Sequence, residues 1–581
     1  MASTLNLGTV KTPGVYIDEM SLFPPSVAQV DTAIPAFIGP TRIAYQVGQP
    51  VRISSMVEFR SFYGGGPDRD LTITLDSNNS VTSVAAQAAQ YLHDSLLMFF
   101  NNGGEKCYIV STRDYSSTHT AKDYTDALDA LLRFDEPTLI VMPDAARLSA
   151  GDFASVQQAA LAHCNTMQDR FAILDVKMEP TQRIPSSSDI AKTLEDFRTS
   201  VGTSNLKYGA AYYPYLQTTL PLNVSYARLS LKQGTTPKTF KELLPATDIA
   251  VSRIVDTLDN LVHDAGIIRA KLPAPSFYAG VANKGFAITD SLTAFIGITG
   301  LTSPDLGNEF TAYTKPAAGT VEDNILDAII AGAALTKADE LGAAFVKLMD
   351  YTTSFINQVD SKIAAQEQEL SNKSPLYASI ARAATTQGII LPPSGAIAGA
   401  YARTDADRGV WKSPANVSLN YVAAPIVALT DAQQEALNVD VDSGKSINAV
   451  RAFTGKGTLV WGARTLAGSD NEWRYVAVRR FFLMAEESIK KATAQFVFEA
   501  NDANTWVRVR AMIENFLTLQ WRAGALAGVK AENAFFVRVG LGQTMTPQDV
   551  LNGFMIIEIG MAVVRPAEFI VLRFSHKMQE A

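Results

Sequence analysis

Between residues 121 and 218 the hydrophobic pattern switches back and forth between helical and strand periods, and few folds accommodate that. The spacing predicts a helix over 121–133, a strand over Thr138–Met142, a helix over 152–168 and a strand over Phe171–Asp175. A helix over 188–200 and a strand over Tyr208–Leu216 complete the series. Successive strands begin about 35 residues apart, the size of a βαβ unit. Crossover helices make such strands parallel, and a parallel sheet needs helices on its faces. The expectation is an α/β middle domain built on a parallel sheet.

The rest of the chain is less regular, and 581 residues are too many for one core. A mixed segment, Val51–Tyr63, ends at Gly64-Gly65-Gly66-Pro67. Residues 68–82 read as a polar loop, followed by a helix from Val84 to Phe100 that stops at Asn101-Asn102-Gly103-Gly104, and then a strand from Cys107 to Val110. After Pro221 the composition shifts: 221–245 is loop-rich, 246–271 reads as helix, and Leu341 to Ile363 carries one apolar stripe. Residues 219–387 are therefore expected to form a separate, mostly helical insert, after which the middle domain resumes over 388–440. Ile447–Leu466 reads as strand and turn. Helices over 479–495 and 503–523, then strands over 534–540 and 553–564, form an α+β carboxyl-terminal domain. The fold class is α/β multidomain, divided at 1–40, 41–120, 121–218 with 388–440, 219–387, 441–565 and 566–581.

Both ends read as extended arms. Thr12-Pro13-Gly14 precedes a short alternating run, Val15, Tyr16, Ile17 and Asp18, and prolines punctuate the chain as far as Gly39. At the other end, Ile570, Leu572 and Phe574 alternate with Val571 and Arg573 in a strand over Glu568–His576. A strand with no hairpin partner after it leaves a sticky edge that this chain or another molecule must cover.

The formal net charge of −8, without a Lys/Arg-rich block, argues against nucleic acid as the main partner. Cys107 and Cys164 are too few for a disulfide framework. The first residues hold no apolar core, so no secretory signal is expected. The longest uncharged run, Ala383–Ala402, contains Pro392-Pro393 and is not a membrane span.

Candidate chemistry is thin. Asp144 and Asp175 each follow a strand, where α/β enzymes hold ligands, and a carboxylate pair there could bind a metal; the alternative is that each caps the next helix or loop. His163-Cys164 sit at adjacent helical positions, diverging by about 100°, which suits a core Cys beside a surface His better than two metal ligands. Gly444-Lys445-Ser446 lacks the earlier glycine of a phosphate loop, since Val439 stands there. Gly455-Lys456-Gly457 reads as a turn. Arg479, Arg480, Glu486, Glu487, Lys490 and Lys491 read as a solvated helix face. No catalytic, metal or cofactor site emerges.

Several stretches nevertheless resemble contractile tail sheath proteins, in the family's order. They are TPGVYIDE (12–19), FPPSVAQVDTAIPAFIGPT (23–41), FFNNGGEKCYIV (99–110), YGAAYYPYL (208–216), PPSGAIAGAYARTDADRGVWKSPAN (392–416), SINAVRAFTGKGTLVWGARTL (446–466) and NDANTWVRVRAMIENFLTLQWRAGALAG (501–528), with the terminal strand. The resemblance implies a structural protein without cofactor. Hexameric rings would stack around an inner tube, with baseplate and terminal cap proteins at the ends. Neither nucleic acid binding nor membrane insertion is implied. It also implies assembly in the bacterial cytoplasm into an extracellular contractile injection particle or, alternatively, a phage tail. Val15, Tyr16, Ile17 and Asp18 at one end, and Ile570, Val571, Leu572 and Phe574 at the other, would pair with neighbouring subunits. Glu487, Lys490 and Lys491 would face the tube. The insert would lie on the outside of the cylinder.

Overall fold

A computed structural model describes residues 27–271 and 357–571, apart from 88, 179–185, 439, 441 and 570. Val15–Asp18, Ile570, Leu572, Phe574 and the stripe from Leu341 to Ile356 lie outside the described residues.

Pro35–Thr41 is buried at every position and pairs on both sides, in parallel, with Cys107–Asp114 and Leu139–Val141. This corrects the reading of residues 33–39 as part of an arm. Pro35 stands at the first position of the strand, where a missing N–H is tolerated, and Ile34 N donates to Thr138 Oγ1 at 2.8 Å. From there the sheet continues in parallel through Phe171–Asp175, Gly209–Tyr213 and Ile447–Phe453. Antiparallel strands close it: Pro50–Ile53 on one side, Gly457–Trp461 and Val417–Ser418 on the other. The βαβ series expected over 121–218 is thus present. Its sheet has nine strands, and the expected boundaries at 40, 120 and 440 do not divide it. The middle strands are continuously apolar because helices cover them.

Two covering helices, Leu92–Asn101 and Ser394–Arg408, meet at very short range. A Cβ on Gly395 would lie 2.5 Å from Ser95 O, and one on Gly399 2.5 Å from Phe99 O. Only glycines four residues apart let these backbones approach so closely.

Residues 68–86 are not loop and helix start, as the sequence suggested. Leu71–Leu75 and Val81–Ala86 form a hairpin, and the helix begins only at Leu92. Burial alternates along Leu71-Thr72-Ile73-Thr74-Leu75, a period of two that short polar surroundings hide. Asp76 closes the turn, its Oδ1 accepting from Asn78 N and Ser80 N at 2.8 Å each. Leu229–Gln233 then joins the hairpin in parallel with Leu71–Leu75, and Thr236–Lys238 extends it. The start of the expected insert is therefore stitched to an earlier part of the chain. Helices follow at Ile249–Lys271, over 357–373 and at Pro375–Gln387.

A second core forms around the helices Val476–Thr493 and Ala503–Arg522. Phe481 and Met484 face Val509, Ile513, Phe516 and Leu517, and Val27 packs with them. Asp502 caps the second helix, accepting from Thr505 N at 2.9 Å, as the Asn501-Asp502 pair suggested. Phe535–Arg538 and Glu558–Met561 pair antiparallel beside it. The charges on the first helix are not all solvated. Arg479 and Arg480 are buried, as is Glu487, because the helix is wedged between both cores and its polar face is covered as well. Arg479 lies 4.7 Å from the ring centre of Tyr208 and 4.6 Å from that of Trp473.

Candidate functional site

The two carboxylates that an enzyme would use are already engaged. Asp144 accepts from Tyr91 N at 2.6 Å and Leu92 N at 2.8 Å, capping the helix Leu92–Asn101. Asp175 accepts from Ser394 N at 2.9 Å and Ser394 Oγ at 2.6 Å, capping the helix Ser394–Arg408. Each caps a helix distant in sequence rather than the next one. Burial pushes both acids up to about 7, against the opposing pull of the N–H and hydroxyl donors. Among the described residues no group of three His, Cys, Asp or Glu side chains could hold a metal ion.

The expectation of a surface His163 is also corrected. His163 is buried, with Nε2 at 3.1 Å from Arg170 Nη1, and burial with that guanidinium pushes it down to about 4. Cys107 and Cys164 are buried free thiols. Lys445 points inward, its Nζ donating to Arg198 O, so Gly444-Lys445-Ser446 presents no phosphate cradle.

The polar chemistry lies instead where the two end segments join the body. On the amino side, Thr32 Oγ1 donates to Asp405 Oδ2 at 2.6 Å, Arg480 Nη2 donates to Thr32 O at 2.8 Å, and Arg480 Nη1 donates to Asp405 Oδ1 at 2.9 Å. Val30 N donates to Ser488 Oγ at 3.0 Å. The carboxyl side has a matching clamp: Arg464 grips Glu568 with Nε at 2.9 Å from Oε1 and Nη2 at 2.5 Å from Oε2. Bidentate guanidinium–carboxylate contacts fix orientation as well as position. Sequence reading missed both clamps, since their partners are 75 and 104 residues apart and no periodicity links them.

Just before that clamp lies a two-stranded sheet with Phe535 opposite Met561 and Arg538 opposite Glu558. Among the described residues no third strand flanks it. Phe536 stays partly exposed, lying over Gly560, where a Cβ would come 2.2 Å from its ring. The pair is held by its packing on the second core, where Val537 is buried, and a sheet of two strands offers edges to which further strands can add. Val571, beyond the clamp, is exposed, and so is Phe569.

Of the three residues expected to face a tube, Glu487 is covered and held at 3.0 Å by Lys490 and 3.4 Å by Lys491. Lys490 keeps 71% of its side chain exposed and Lys491 46%. The patch therefore presents ammonium groups.

The sequence pattern of the phage tail sheath C-terminal domain matches residues 468–577, which include the wedged helix, the second core and the unpaired sheet. Chains of the anti-feeding prophage, in its contracted helical sheath and in its 6-fold symmetrised baseplate, are 25% identical with a TM-score of 0.53. The match covers 98% of this chain and all of theirs. The chain thus carries a tail sheath C-terminal domain and is similar along its length to contractile sheath proteins. A tail sheath protein of Vibrio phage KVP40 is 28% identical over 189 residues, 32% of this chain, and the match spans only 26% of that relative's length. The sheath of an extracellular contractile injection system, PVC, in its contracted state shares the fold at a TM-score of 0.54, with 23% identity over 98% of each chain.

Proposed function

We propose that this protein is the structural subunit of a contractile sheath in an extracellular contractile injection system. Hexameric rings stack around an inner tube, and the lattice contracts from a metastable extended state to drive the tube through a target envelope. The observation that carries this reading is the two-stranded sheet Phe535–Arg538/Glu558–Met561, with no third strand among the described residues, in a chain matched from end to end by a contractile sheath protein. A neighbour's Val15–Asp18 and another's Ile570–Phe574 would add strands there, by the route of β-strand addition. Each main-chain hydrogen bond gained is worth about 0.5–1.5 kcal/mol. A strand of a few residues therefore holds while the rigid bodies rotate.

Assembly itself stores the energy in this scheme, and neither nucleotide nor cofactor is required. The expected location is the bacterial cytoplasm during assembly and a released particle afterwards, with baseplate and cap proteins terminating the cylinder. The alternative of a phage tail is favoured by the KVP40 relative; capsid genes beside the coding sequence would decide for it.

Electron microscopy of the expressed protein tests the reading. The full chain is expected to form cylinders, and deletion of 570–581, which spares the Arg464–Glu568 clamp, to leave folded subunits that do not polymerise. Normal cylinders from the truncated chain would sink the strand-exchange model.

A further inference from the structure

An open groove of about 800 Å³ runs along the segment Val564–Phe569, which the Arg464–Glu568 clamp holds as one wall. Trp411, Trp461 and Tyr475 line it, and Arg408, Lys412 and Arg565 give it a basic rim. Glu568, the acidic residue among its lining, is engaged by Arg464. The groove therefore offers aromatic surface inside a ring of positive charge.

The turn between the two long helices offers the complement. Phe498 is wholly exposed at 104%, beside an exposed Val497, and its φ of +70° lies in the left-handed region. That conformation is rare for an aromatic residue. Glu499 and Asp502 make the tip acidic. Glu499 has an ion pair with Arg508, but both side chains are about half exposed, so that contact is weak and exchangeable.

We propose that the tip Val497–Asp502 of one copy seats in the Trp411 groove of a second copy. Phe498 enters between the aromatic side chains and Glu499 meets the basic rim. Groove and tip are different surfaces, so the contact is heterologous and propagates into rings or helices instead of closing a dimer. The inference rests on the sheath reading and names a contact between rigid bodies, separate from strand exchange.

The test is cross-linking in purified cylinders of a Phe498→Cys/Lys412→Cys variant, using a short bis-maleimide. Cys107 and Cys164 are buried and serve as silent background. A ladder of covalent multimers is expected with the double variant and not with either single one. Phe498→Asp is expected to slow assembly at least tenfold with monomer unfolding unchanged. Cylinders that yield no ladder, or only a cross-linked monomer, would overturn the contact, as would assembly of Phe498→Asp at the full rate; all leave the sheath reading standing. Failure of the unmodified chain to form cylinders would remove the sheath reading, and this contact with it.

Discussion

Asp144 and Asp175 show how little a residue's position in the pattern says about its task. Asp175 ends a strand of the parallel sheet and Asp144 lies in the turn after one, yet each is closed off under a helix N-terminus. Their raised pKa values have a consequence for stability. The folded state holds these protons up to about pH 7, whereas the unfolded chain releases them near 4. Stability from both groups is therefore full below about pH 4 and is lost as pH rises through 7. Thermal unfolding of the Asp144→Asn/Asp175→Asn variant is expected to fall less steeply between pH 5 and 7.5 than that of the natural chain. Equal slopes would mean the carboxylates are ionised throughout. Gly399 makes a second residue-scale case, because a Cβ there meets Phe99 O at 2.5 Å. Gly399→Ala is expected to destabilise by about 1–3 kcal/mol through overpacking, readable as a lower urea midpoint at constant m-value.

At the scale of elements, the helix Val476–Thr493 joins the parts of the molecule. Its Arg480 ties the helix Ser394–Arg408, through Asp405, to the backbone of Thr32 at the root of the amino-terminal segment. Fifteen residues upstream of that helix's Arg479, Arg464 grips the root of the carboxyl-terminal segment. One stretch of chain thus anchors both roots. Removing one member of a buried pair leaves an uncompensated charge, a loss of about 3–5 kcal/mol. Arg480→Met alone is expected to cost that much in urea unfolding. Arg480→Met/Asp405→Leu should recover most of it, and a double variant as unstable as the single would show that Asp405 is not the partner that matters.

For the whole molecule, the placement of charge bears on assembly. The exposed ammonium groups of Lys490 and Lys491, propped by a covered Glu487, form the patch proposed to meet the inner tube. Charge contacts at such a surface weaken with salt. Lys490→Glu/Lys491→Glu is expected to reduce co-assembly with the tube protein most strongly at low ionic strength. Glu487→Gln, which keeps both ammonium groups, should have the smaller effect. Unchanged sedimentation of sheath with tube in the Lys variant would assign the tube contact elsewhere.

Local pattern alone determined the βαβ series, the two closing helices with their Asp502 cap, and the turn at Gly455-Lys456-Gly457. These depend on neighbours within a few residues, where hydrophobic period and capping chemistry act directly. Tertiary structure decided the rest. It made Pro35–Thr41 a central strand, because only pairing on both sides reveals burial. It joined Leu229–Gln233 to Leu71–Leu75 and turned an apparently solvated Arg480 into a buried clamp. Those outcomes depend on partners tens to hundreds of residues away, and no period in the sequence carries that information.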